Sequence, residues 1–66
     1  MNKTKLIYEQ LGTYEKVSIR YCEVTNKSVS INTIKSWVKG LSKPSEDNQI
    51  NIDTLFDEVT NENIQS

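Results

Sequence analysis

SVSINTIKSWVKGLSKPS, Ser28 to Ser45, is the stretch whose reading decides the fold. Ile31, Ile34, Trp37 and Val38 recur in it at i, i+3, i+6 and i+7, the spacing that gathers apolar side chains on one face of a helix. Ser30 stands just before the first of them. There a hydroxyl accepts a hydrogen bond from a backbone N–H that a helix start leaves unpaired. Gly40 follows the last of them, and glycine tolerates the left-handed backbone that closes a helix. The spacing predicts a helix over about 31–39. Beyond it Leu41-Ser42-Lys43-Pro44 reads as a connector, because Pro44 cannot continue a helix from the residues before it. Ser45 then caps a further helix, with Glu46 and Asp47 in the first turn, where the helix dipole favours anions.

Working outward, Ile52, Leu55, Phe56 and Val59 form an i, i+3, i+4, i+7 stripe, the clearest amphipathic signal in the chain. The segment 60–66 has one apolar residue, Ile64, and is expected to fray, so the folded domain is expected to span 1–59. Upstream, Tyr14, Val17, Tyr21 and Val24 mark a helix from about Tyr14 to about Glu23. Thr13 is its cap, and Lys16 stands where a full capping box would carry Glu. Thr25-Asn26-Lys27-Ser28 is polar and turn-prone. A first helix over 3–11 rests on Leu6, Ile7 and Leu11, interrupted by Gln10 and stopped by Gly12. No alternating strand pattern and no internal repeat is present. The expectation is an all-α domain of four helices with short connections.

At 66 residues one domain is the only sensible count, and its core must be thin. Hydrophobic content of 35% is polar for a globular chain but too high for disorder. The opening MNKTKLIYEQ lacks the apolar core of a secretory signal, and no run is long enough to span a bilayer, so a cytoplasmic home is expected. Cys22 is the only cysteine and histidine is absent, which excludes an internal disulfide and a His/Cys metal site; no cofactor is expected. There is no glycine-rich phosphate loop and no nucleophile–base pairing, so an enzyme is not expected. Net charge is −1, yet its distribution is uneven. All eight basic residues precede Pro44, with only Glu9, Glu15 and Glu23 against them, a balance of +5. From Ser45 on there are six acids and no base. Binding to phosphate needs local rather than net positive charge, so the asymmetry points to one basic binding face.

The order Ser28, Val29, Ser30, Ile34, Trp37, Gly40, Pro44 and Ser45 resembles the recognition-helix segment of Cro/C1-type helix-turn-helix regulators. Leu11 to Ser18, LGTYEKVS, resembles the entry to the second helix of small phage Cro proteins, with Val17 in the core and Ser18 at the small-residue position. The resemblance covers roughly residues 3–59. It implies a lambda repressor-like fold and a double-stranded DNA partner. It also implies a transcriptional regulator, a repressor of a phage or mobile element, with a homodimer on DNA compatible with it. One departure stands out: the stretch from Cys22 to Ser28 is about six residues longer than the family's turn, with Cys22 near the family's turn-opening glycine. An elongated second helix and turn of this kind is similar to POU-specific domains.

In this reading the third helix reads bases through Ile31, Asn32, Lys35 and Ser36. Asn pairs bidentately with adenine, Lys donates to guanine, and Ile31 meets a thymine methyl. Ser30, Thr33, Lys27, Lys39 and Lys43 are the expected backbone contacts, and the family resemblance adds Thr13, Tyr14 and Lys16 at the start of the second helix. Beside these stand plainer roles. Ser30 is a cap whatever else it does, Trp37 reads as core rather than a stacking platform, and Cys22 as a small part-buried residue. The competing function is an antirepressor or other protein-interaction module that uses the acidic fourth helix as its contact face.

Overall fold

The computed structural model describes residues 2–65, with side chains described through Asn61. Four helices follow one another: α1 (Lys3–Leu11), α2 (Tyr14–Thr25), α3 (Ile31–Lys39) and α4 (Glu46–Gln65). The bounds expected for α1 and α3 are the observed ones, because both are set by local capping chemistry. Gly12 and Gly40 close them at φ of 96° and 75°. Thr13 Oγ1 accepts from the Lys16 N–H at 3.1 Å, and Ser30 Oγ from the Thr33 N–H at 3.2 Å. Ser45 Oγ accepts more loosely from the Asn48 N–H at 3.4 Å. The tail read over 60–66 falls largely outside the described side chains.

The second helix runs past its expected end near Glu23 to Thr25. Val24, the last residue of the expected stripe, packs half-buried against the core, which keeps the helix going past Glu23. The Thr25 hydroxyl folds back to donate to the Tyr21 carbonyl at 2.6 Å. Asn26 then takes the left-handed backbone at φ 59° and returns its N–H to the Cys22 carbonyl at 2.9 Å. Asparagine tolerates this conformation better than other side-chain-bearing residues. Residues 23–25 are therefore helical, and the turn opens at Asn26 rather than near Cys22. Cys22 is exposed, not part-buried as expected, since Val17, Tyr21 and Val24 take the inward face of α2.

The core draws on every helix: Ile7 from α1, Val17 and Tyr21 from α2, Ile34, Trp37 and Val38 from α3, and Ile52, Leu55 and Val59 from α4. α1 and α2 pack against each other and each against both α3 and α4, whereas among the described residues α3 and α4 make no close backbone approach. α4 is long enough, at about 1.5 Å per residue, to set the 32 Å long axis of the molecule. Polar ties fix the registers. The Tyr21 hydroxyl donates to Asn48 Oδ1 at 3.1 Å and accepts from Asn51 Nδ2 at 3.2 Å, which satisfies the polar end of a buried ring. Asn2 joins two helix ends: its Oδ1 accepts from the Lys5 N–H at 3.1 Å, and its Nδ2 donates to the Trp37 carbonyl at 2.9 Å. Among the described residues no helix is long and apolar enough to cross a membrane.

The tie between α1 and α4 carries a pH signature. Lys3 Nζ lies 3.1 Å from Asp53 Oδ1 and 5.3 Å from the centre of the Phe56 ring. The Gln49 side-chain amide, and after it the Lys3 ammonium, hold the Asp53 carboxyl below its ordinary value. A carboxyl depressed in the fold contributes stability above its unfolded pKa and loses it as pH falls toward the folded one. Thermal melts from about pH 6 down to about pH 3 should therefore show wild type losing more stability than Asp53→Asn, with the two curves converging at the acid end. Parallel curves would mean that the pair contributes nothing.

Candidate nucleic-acid interface

α3 is held by one face and free on the other. Ile34, Trp37 and Val38 are buried, and Trp37 lies tilted against Tyr21 of α2 with ring centres 6.4 Å apart. Opposite them Asn32, Lys35 and Lys39 are exposed and Ser36 is half-buried, at i, i+3, i+7 and i+4. That spacing aligns the four as one stripe along the helix. None of the four side chains has a hydrogen bond or ion pair among the described residues. Ile31 stands at the head of the helix, 46% exposed. Of the expected base-reading residues, Asn32, Lys35 and Ser36 are thus brought together on the outward side, whereas Ile31 stands on the side of Ile34 and Val38, half-exposed only because it opens the helix.

The segment between α2 and α3 is pinned from below. The Ser18 hydroxyl donates to the Val29 carbonyl at 2.8 Å, which ties the middle of α2 to the residue before the Ser30 cap. A small polar side chain at position 18 is what allows this approach. The start of α3 is ordered further by a 2.8 Å contact between the Ser30 and Thr33 hydroxyls. Both hydroxyls are therefore engaged within the cap, and Thr33 is half-buried. By the geometry of a helix start, the backbone N–H groups of Ile31 and Asn32 have no intrahelical acceptor and point outward along the axis. Such a start accepts an anionic oxygen readily.

The start of α2 repeats this arrangement. Thr13 caps it, exposed; Lys16 is exposed on its first turn; Tyr14 is half-buried and stacks on Tyr8 of α1 with ring centres 4.4 Å apart. The stack fixes the angle at which α1 enters α2. Lys27 is exposed in the α2–α3 segment. Lys43 borders a groove lined also by Asn2, Trp37 and Glu46, at the far end of α3 from Ser30.

The charge distribution sharpens once pairing is counted. Lys3 is tied to Asp53, and Arg20 lies 3.4 Å from Glu23 on its own helix. Lys5, Lys16, Lys27, Lys35, Lys39 and Lys43 are all exposed and in no ion pair among the described residues. The acids Glu46, Asp47, Asp57 and Glu58 are exposed on α4, with Ile50 60% exposed among them. Free positive charge therefore belongs to α1–α3 and their connections, and free negative charge mostly to α4. Sequence reasoning does not find Asn2 and Ser18 as positioning residues. Ser18 carries a signal in its small size, whereas the reach of Asn2 to α3 has none. Among the described residues no group of three His, Cys, Asp or Glu side chains gathers to hold a metal ion. Comparison with protein-family models, with curated proteins and with solved structures finds no match.

Proposed function

We propose that this domain is a sequence-specific double-stranded DNA-binding regulator of the Cro-like helix-turn-helix type, with α3 as the helix that enters the major groove. The observation that carries the reading is the unpartnered stripe Asn32, Lys35, Ser36 and Lys39 on a helix whose other face buries Ile34, Trp37 and Val38. A recognition helix needs both halves: a buried face that fixes its pose and a polar face whose hydrogen-bonding groups are unspent. α2 and the α2–α3 segment supply the flanking phosphate contacts through Thr13, Tyr14, Lys16, Lys27 and the capped start of α3. The excess of free lysines on this part of the molecule supplies the sequence-independent attraction. A protein-interaction role is the second reading. It is favoured by Ile50, which α4 exposes among acidic side chains.

Selection of bound duplexes from a random pool tests the proposal. Enrichment of a short motif, single or as a dyad, supports it and reports the stoichiometry; a pool that stays random would sink it. Lys35→Ala and Lys39→Ala should each weaken binding and lower the slope of log affinity against log salt by about 0.9 for every phosphate left without its cation. Unchanged slopes at both positions would remove α3 from the basic face.

A further inference from the structure

Between the start of α1, the end of α3 and the α3–α4 connector lies an open groove of about 680 Å³, the size of a small-molecule site. Thr4 and Trp37 form part of its wall, and both are more than nine-tenths buried, at 3% and 5% exposure. Neither the Thr4 hydroxyl nor the Trp37 indole N–H has a hydrogen-bond partner among the described residues. No described polar side-chain atom is both sealed from solvent and unpaired. Each of these two groups therefore keeps contact with solvent at the small surface its residue retains, and both residues border the groove.

Two hydrogen-bond donors that reach solvent and are unspent within the fold can each donate to an acceptor held in the groove. Lys43 is the cation on offer, exposed and in no ion pair, since the ammonium of Lys3 is held by Asp53 and Phe56. Pro44 adds apolar surface, and Gly40 leaves open space where a side chain would stand. Glu46 is the one carboxylate on the lining and limits how negative an occupant can be. We infer that the groove binds a small monocarboxylic acid with an apolar body, its carboxylate accepting from Thr4 and Trp37 and paired with Lys43. The body lies against Pro44 and the indole edge. A polyanion is disfavoured by Glu46.

The test uses the full chain without DNA, so its result is independent of the nucleic-acid reading. The chain has a single tryptophan, hence a single indole N–H resonance in an isotope-labelled sample. Hydrocinnamate should move that resonance saturably, with half-saturation at about 0.1–1 mM, the affinity an open groove gives a ligand of this size. Hydrocinnamide and phenethylamine, which lack the negative charge, should bind about tenfold more weakly or less. Thr4→Val keeps the shape of the side chain and removes its hydroxyl; Lys43→Ala alters only the exposed connector. Each should weaken hydrocinnamate binding about fivefold to tenfold, the share of one charge-assisted hydrogen bond. Absence of a saturable shift, equal binding of the amide, or wild-type affinity in Lys43→Ala would each overturn the inference. The Lys43 variant decides the matter even where Thr4→Val fails to fold.

Discussion

Trp37→Ala is expected to unfold the domain. The indole is 5% exposed and closes the core between α2 and α3, tilted against Tyr21. Truncating a buried aromatic costs about 3–5 kcal/mol through lost transfer energy and the cavity left behind. At about 0.05–0.15 kcal/mol per residue a chain of this length has only about 3–10 kcal/mol in total. In so small a domain each kcal/mol moves the melting temperature by about 4–8 °C, so a loss of this size removes the transition or drops it by tens of degrees. Circular dichroism melts read this directly. Trp37→Phe, which keeps an aromatic ring in the site, should retain a cooperative transition at reduced temperature. A folded Trp37→Ala protein with a melting point near wild type would move the indole from the core to the binding surface.

Asn32→Ala is expected to cost about 1–3 kcal/mol on the preferred duplex, while binding to random duplex changes little. The side chain is exposed, one turn from Ser36 and beside Lys35, on the face opposite Ile34. Its removal therefore leaves the core untouched and, on the proposed reading, subtracts only a bidentate contact to adenine. The measurement is the ratio of affinities for selected and random duplex at one fixed salt, variant against wild type. An equal loss on both duplexes would mean that Asn32 positions the backbone and does not read sequence. No loss on either, with the fold intact, would mean that α3 is not the reading element. The acidic face of α4 as a protein contact would then become the better proposal.

What the sequence made legible was the part governed by neighbours in the chain. Ser30 and Gly40 bound α3, and Thr13 and Gly12 separate α1 from α2, because a hydroxyl cap and a left-handed glycine act within one turn of themselves. The stripe Ile52, Leu55, Val59 is likewise buried where its spacing placed it, with Phe56 at the edge. The end of α2 was less legible, because Asn26 and Thr25 serve a turn as readily as a helix end and only the packing of Val24 decides between them. Ties across the fold left no trace in the pattern. Nothing in the spacing says that Tyr21 finds Asn48 and Asn51, or that Lys3 spends its charge on Asp53. The outward face of α3 was legible for a simple reason: once Ile34, Trp37 and Val38 are assigned inward, the helix period leaves Asn32, Lys35, Ser36 and Lys39 outside.

Asn2 has a consequence for the motions of the domain. One amide stops the first turn of α1 with its oxygen and the last turn of α3 with its nitrogen, which also reaches the Val38 carbonyl at 3.3 Å. Helix ends ordinarily fray one by one, each on its own free energy. Here two ends separated by some 35 positions in the chain share a single fastener, so opening one releases the other. Amide hydrogen exchange at Lys5 and at Gly40 and Leu41 should accordingly quicken together in Asn2→Ala, while exchange in the middle of α2 stays as it was. The beginning of the chain thereby governs how firmly the far end of α3 is seated, and a change at residue 2 is felt at Trp37 and Val38 without any substitution in α3 itself.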